Sequence, residues 1–332
     1  MGLRILGRRK LALLVAAVTV CAFALRASPA ASAQSGGSAA DPTTATLVYN
    51  EDFPDPSVLV VGHTYFAYST NSDGENVPVI ESHDLVQWHA IGDVMSVLPL
   101  WATEGYIWSP SVSRAPSGGY QLFFSAYDES EGVMCLVRST SASPFGPFVD
   151  ISGAPFLCQS GAGGSIDPSV YQSDGTDYLV WKADGEGGQP QAILSARLTA
   201  GDSELAGAPV TLLTAALGWE DGVVERPAFL DADGVLHLYF SAGHWSSADY
   251  AIGTTTCASP MGPCEGGASQ PVAIASDVAS GAGSPTFFAA DGRTYLAFSA
   301  WTDGIIGYEV GHRALFLMTI GTDQVVAHAE GS

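Results

Sequence analysis

Basic residues are scarce. The 332-residue chain carries 12 Lys and Arg against 34 Asp and Glu, a formal charge of −22 at pH 7. Five of those cations (Arg4, Arg8, Arg9, Lys10, Arg26) fall in residues 1–33, which hold no acid, so the rest of the chain carries −27. Such a surface repels phosphate backbones and anionic lipid, which argues against nucleic-acid and membrane partners. It suits an exported protein acting on a neutral substrate. Long apolar runs are also missing. The longest, "LALLVAAVTVCAFAL" at 11–25, has 15 residues, and a membrane span needs roughly 20. Preceded by the basic "MGLRILGRRK" and followed by "ASA" at 31–33, it reads as a signal peptide over residues 1–33. The expected location is secreted, extracellular. Arg8-Arg9 leaves both the general and the twin-arginine export routes open. Val20 is too bulky for the small residue that precedes a lipoprotein cysteine. Residues 34–44 form a Ser/Gly/Ala-rich segment, 45–322 a single domain and 323–332 a tail.

Cysteine is sparse, and no C-x-x-C or Cys/His spacing points to zinc. Of five cysteines, Cys135, Cys158, Cys257 and Cys264 lie beyond the signal segment. An even number in an exported chain favours two disulfides, with three pairings open. "ASPMGP" between Cys257 and Cys264 is a tight turn that favours Cys257–Cys264 and, with it, Cys135–Cys158. Long amphipathic helical patterns are absent.

What is present is a repeat. "DPSVLVVGHTYFAYST", "SPSVSRAPSGGYQLFFSA", "DPSVYQSDGTDYLVWKA", "RPAFLDADGVLHLYFSA" and "SPTFFAADGRTYLAFSA" share one plan: X-Pro, a short strand, a Gly turn and an aromatic-rich strand. Their prolines, Pro56, Pro110, Pro168, Pro227 and Pro285, step by 54, 58, 59 and 58; the turn glycines, Gly62, Gly118, Gly175, Gly234 and Gly292, step by 56, 57, 59 and 58. "ASPFGP" at 142–147 returns as "ASPMGP" at 258–263, two periods on. The Gly turns, three of them Asp-Gly, followed by alternating aromatics signal hairpins. Five mostly-β units predict an all-β fold, a five-bladed β-propeller with four-stranded blades, as one domain. Two markers keeping one step through five units argue against a β-sandwich with accidental similarity.

Radial repetition sends equivalent positions to one axis. The residues before the prolines are Asp55, Ser109, Asp167, Arg226 and Ser284, with Glu225 one place earlier on the fourth unit. Three carboxylates from three blades therefore converge. One Asp-Pro alone is a common turn former, but Glu225 has no such local role. Calcium takes more oxygen ligands, on Asp/Asn-spaced loops that are absent here. Paired acids suit glycoside hydrolysis, one giving a proton to the leaving oxygen and another activating or replacing water. Trp108 precedes Ser109-Pro110, Trp101 lies close upstream, and Trp301 and His244-Trp245 follow aromatic strands. Each is a candidate sugar platform, with blade packing as the alternative.

"FPDPSV", "IWSPSV", "SIDPSVYQSDGTDYLVWKA", "VVERPAFLDADGVLHLYFSAG", "GSPTFFAADGRTYLAFSAW" and "SHDLVQW" at 82–88 resemble the blade starts and first-blade signature of family 43 glycoside hydrolases, over about residues 47–320. The resemblance implies inverting hydrolysis of arabinofuranosides or xylosides from plant cell-wall glycans. It assigns Asp55 as general base, Glu225 as general acid and Asp167 as the group that orients the acid and raises its pKa. Arg313 in "GHRALFLMTI" is similar to the family's last-blade arginine near the substrate. Ser109, Arg226 and Ser284 join Trp108 and Trp301 as substrate-side candidates. Two departures stand out. Arg226 follows the acid where the family often has Gly or Ala, which narrows the pocket or pairs with a neighbouring acid. "GAGSPTFF" with Ser284 replaces a "GxGH" turn whose His is linked to an axial calcium. No cofactor is required, no metal ligand is assigned, whether an axial calcium ion binds is left open, and a monomer is expected. Within the family an endo-arabinanase is the alternative; outside it, a retaining fructan-active propeller or a non-catalytic carbohydrate-binding propeller. The fructan type usually has Asn-Asp-Pro and a middle acid after Arg, unlike "FPDPSV" and "SIDPSV". A binding module would tolerate loss of an acid, and all three are present.

Overall fold

The computed structural model describes residues 44–185, 190–274 and 276–321. The signal-peptide and tail expectations fall outside them, as does all of residues 34–43. Strand β1 (Thr46–Tyr49) belongs to the last blade. Blade 1 is β2 (Ser57–Val61), β3 (Thr64–Tyr68), β4 (Pro78–Ser82) and β5 (His89–Asp93); blade 2 is β6 (Ala102–Arg114), β7 (Tyr120–Asp128) and β8 (Val133–Ser141). Blade 3 is β9 (Ser165–Ser173), β10 (Thr176–Ala183), β11 (Ala192–Arg197) and β12 (Val210–Thr214), and blade 4 is β13 (Val224–Ala232), β14 (Val235–Ala242) and β15 (Ala251–Cys257). Blade 5 is β16 (Ala279–Ala290), β17 (Arg293–Thr302) and β18 (Arg313–Ile320), completed by β1 on its outer edge. Five antiparallel sheets in this order form the five-bladed propeller. The described residues include no α-helix, only 3-10 turns at Ser160–Ala162 and Gly218–Glu220.

Blades 2 and 4 have three strands each. Where the fourth would lie, single bridges stand instead: Leu136 with Leu157 and Thr140 with Val149 in blade 2, Cys257 with Cys264 in blade 4. The disulfides Cys135–Cys158 and Cys257–Cys264 fall at these two places, in the pairing that the ASPMGP turn favours.

The hairpins follow from their turn residues. Asp174-Gly175, Asp233-Gly234 and Asp291-Gly292 close two-residue loops, with both φ values positive in each. Asp and Gly tolerate that conformation, which matches the twist of the flanking strands. Apolar side chains gather between blades, not at the axis. Five clusters fill the five seams: Leu59 and Tyr68 with Ile107 and Phe124; Phe123 with Trp181; Val180 with Phe240; Tyr239 with Phe298; Phe53 and Val58 with Leu315. The axis is left to polar groups.

Candidate active site

The five residues before the prolines share one backbone state. Asp55, Ser109, Asp167, Arg226 and Ser284 have φ of 54°, 56°, 57°, 48° and 61°. Few non-glycine residues adopt positive φ, Arg least readily of these. In blades 2 to 5 the strand pairing slips at this point, a β-bulge in the innermost strand. Proline, which has no N–H to pair, suits the unpaired position of the bulge, and the bulge re-aims the preceding side chain toward the axis.

The N–H of each of these residues is held by the neighbouring blade. Thr70 Oγ1 accepts from Ser109 (2.8 Å), Ser125 Oγ from Asp167 (3.0 Å), Ser241 Oγ from Ser284 (2.6 Å) and Ser299 Oγ from Asp55 (3.4 Å). The three serines are those of the repeated "FSA" on the second strands. Blade 3 has Lys182 there, in "VWKA", and Arg226 N–H donates to Asp167 Oδ2 instead (3.1 Å).

Asp55, Asp167 and Glu225 line one cavity of about 620 Å³, together with Trp108, Ser109, Arg226 and Arg313. Asp55 is ringed by donors: Ser284 Oγ on Oδ1 and Thr70 Oγ1 on Oδ2, both at 2.6 Å. Arg313 clamps both oxygens, Nη1 to Oδ1 at 3.3 Å and Nη2 to Oδ2 at 3.2 Å. Burial by itself would raise the Asp55 pKa. Arg313, then Arg226, Ser284 and Thr70 outweigh it and hold the carboxyl at about 2.

Asp167 is the opposite case. Burial first, and then the charge of Glu225, push it up to about 6, against the pull of Arg226, Lys182 and the Ser109 hydroxyl, which donates to Oδ1 at 2.6 Å. Glu225 receives Tyr250 Oη on Oε1 (2.7 Å) and Lys182 Nζ on Oε2 (3.0 Å). Lys182 also pairs with Asp184 (2.9 Å). Burial opposes the lysine's charge, yet Glu225, Asp167 and Asp184 keep its pKa above the ordinary value. Burial, Glu225 and Asp55 push the Tyr250 phenol far up, so it stays a donor.

Lys182, Tyr250 and Thr70 are the site residues that the repeat reading missed. Lys182 left a signal: it is one of two lysines in the chain, with Lys10, and it breaks the serine of the repeat. Tyr250 and Thr70 left none: each lies at a strand end, Thr70 after β3 and Tyr250 before β15, and reaches the acid of its own blade, whereas Lys182 reaches Glu225 across the seam between blades 3 and 4.

Two expectations need correction. Trp301 is 0% exposed and does not face the cavity. It stacks behind Trp245, donating Nε1 to the Trp245 carbonyl at 3.0 Å, so Trp245 is the ring on the wall. Ser284, also 0% exposed, lies behind Asp55 and touches it rather than the open space. Trp101 lines a separate depression. Arg226 makes no close ion pair among the described residues. Its Nη2 crosses the axis to the Pro56 carbonyl (3.0 Å), and its buried Nε has no partner.

The axial residues do not fit a bound calcium ion. A buried guanidinium reaches across the axis, where it already supplies a cation beside Asp55 and Asp167, and Ser284 spends its hydroxyl on Asp55. Among the described residues no three of His, Cys, Asp and Glu converge as metal ligands.

Comparison with known proteins agrees with this geometry. Residues 45–324 match the family described as "Glycosyl hydrolases family 43". The chain is similar to Beta-D-galactofuranosidase xynD of Aspergillus niger, 26% identical over 272 residues and 76% of each chain. It is similar to the Arabinoxylan arabinofuranohydrolase of Bacillus subtilis at 28% identity over 157 residues, 38% of this chain and 30% of that protein's length. Two solved structures resemble it. One, a thermostable family-43 glycoside hydrolase, has TM-score 0.72 and 24% identity over 82% of this chain and 96% of that one, a likeness of fold. The other, an endo-1,4-beta-xylanase from Bacteroides thetaiotaomicron, has TM-score 0.68 and 27% identity over 84% and 97%. With a family match running through all five blades, the chain belongs to glycosyl hydrolases family 43 and is a glycoside hydrolase.

Proposed function

We propose that the protein is a secreted, inverting hydrolase of arabinofuranosyl or xylosyl linkages in plant cell-wall glycans, acting on chain ends. One observation carries the reading: three carboxylates from blades 1, 3 and 4 share a cavity in opposed electrostatic settings. Environments that push neighbouring acids apart are how one site supplies both a base and an acid.

Asp55 is the base. Arg313, Ser284 and Thr70 keep it ionised and fix its orientation. At about 2 its pKa makes it a weak base. A transition state of oxocarbenium character asks little push from water, so position matters more than basicity. Glu225 is the acid. Asp167 beside it is held up in pKa by burial and by the Glu225 charge, so the site disfavours two negative charges at once. Lys182 and Tyr250 hold the Glu225 carboxyl in place, one on each oxygen. When Glu225 gives its proton to the leaving oxygen, the carboxylate that forms lies against the Lys182 cation. Trp108 and Trp245 both line the cavity, where a sugar ring packs on an aromatic face.

The names of the relatives include furanosidases and a xylanase, which supports a pentose or furanose at the site without choosing between them. A panel of aryl α-L-arabinofuranoside, β-D-xyloside and β-D-galactofuranoside is the test. Release from one of the first two supports the reading. Release from the galactofuranoside alone, or from none, contradicts it.

A further inference from the structure

Strand β6 runs from the cavity to a second depression, and its pairing with β7 is irregular between them. Ala102 pairs with Asp128 and Ile107 with Ala126, so five steps on β6 oppose two on β7. Residues 103–106, four against Tyr127 alone, form the bulge. Glu104, Gly105 and Tyr106 are exposed, and Gly105 takes φ 81°. Bulges of this kind re-aim side chains beside active sites.

This bulge presents a row of rings. Tyr106 lies 6.1 Å from Trp108, which lines the cavity, and 5.6 Å from Tyr127. The Tyr106 ring is 49% exposed. Beyond it, a depression of about 400 Å³ is lined by Trp101, Thr103, Asp128 and Glu129 among others. The Trp101 Nε1 is buried without a hydrogen-bond partner, and Leu100 beside it is fully exposed. The exposed Tyr106 ring, flanked by the half-buried Trp108 and Tyr127 and followed by the exposed Leu100 and Glu129, is apolar surface that a ligand would cover.

We propose that blade 2 carries a second carbohydrate site, a groove along β6 from Trp108 over Tyr106 and Tyr127 to the Trp101–Asp128 depression, which binds further units of a neutral linear oligosaccharide. This rests on the glycosidase reading above. Ring faces pack on sugar C–H faces, while the exposed Glu129 accepts from hydroxyls. The acidic ends of the groove and the chain's overall charge exclude an anionic glycan. Continuity with the cavity along one strand favours a chain that enters both over a separate protein partner.

The test is calorimetric titration of the Glu225→Gln protein with linear arabino- and xylo-oligosaccharides of two and six units, with and without Tyr106→Ala. The hexasaccharide of the preferred sugar should bind about tenfold or more tighter than the disaccharide, the scale of one aromatic contact with its buried area. Tyr106→Ala should remove most of that gain and Tyr106→Phe should retain it. Equal affinity for both lengths, no binding by either, or equal weakening of both by Tyr106→Ala overturns the groove. Aryl-glycoside hydrolysis by the unsubstituted protein is measured alongside, so that failure of the catalytic reading is seen separately.

Discussion

Lys182 stands where blades 2, 4 and 5 place a serine, and it touches the proposed acid. Its role is electrostatic as well as positional, and that gives opposed expectations. Lys182→Met removes a buried cation from beside Glu225 and Asp167. Asp167 then keeps its proton to higher pH, and the alkaline limb of kcat/KM should move up by about one unit or more. Asp167→Asn removes the negative charge beside the acid, which should move that limb down. In the unsubstituted enzyme the limb should lie near pH 6, where Asp167 titrates, while Asp55 at about 2 leaves the acid side active well below pH 4. Movement of both variants in the same direction would refute the assignment. The acids also separate by leaving group. Glu225→Ala should lose about 10²-fold or more on natural glycosides and far less on aryl glycosides, which leave without protonation; Asp55→Ala should fail on both, with partial rescue by azide. A Glu225→Ala loss equal on both substrates would remove it as the acid. The acids themselves were legible in the sequence, because X-Pro and the period of the repeat put them in register. Their partners were not: Thr70 and Tyr250 fold back from strand ends of the acid's own blade, and the contact of Lys182 with Glu225 crosses a seam, which depends on how closely blades pack. Trp301 was misread because aromatic strand ends look alike whether a ring faces sugar or supports another ring.

At the scale of the element, the disulfides take over from missing strands. Cys158 follows Leu157, whose bridge to Leu136 holds the outer segment of blade 2, and Cys257–Cys264 ties the return after β15. Four-stranded blades follow from the repeat length, but blades 2 and 4 spend that length on turns and a covalent link. Their outer edges carry no period-2 pattern that would have shown the difference beforehand. The links close 23 and 7 residues. By loop-closure entropy, Cys135→Ser with Cys158→Ser should cost about 1 kcal/mol more than Cys257→Ser with Cys264→Ser. Denaturant titration of the two double variants measures this, and an equal or reversed order would show that the local packing of each segment outweighs chain entropy.

Across the whole molecule, stability resides in five seams, and the ring has one closing contact. β1 pairs with β18, Thr46 opposite Leu317 and Leu47 opposite Phe316, while Val48 and Tyr49 pack in the seam between blades 5 and 1. Deleting residues 46–49 opens a sheet edge and uncovers that seam. Several kcal/mol lost at roughly 2–4 °C each should lower the thermal midpoint by about 10 °C. An unchanged midpoint would mean that closure does not depend on β1. The same ring closure sets Asp55 of blade 1 against Arg313 and Ser284 of blade 5, so the proposed base is assembled where the two ends of the fold meet. The central claim is that this base and Glu225 act on opposite sides of the glycosidic bond with water between them, in one displacement. Proton NMR of the first sugar released from a defined glycoside tests it directly. The account predicts the anomer opposite to that of the substrate; a product that first appears with the substrate's configuration would contradict it and make Asp55 a nucleophile.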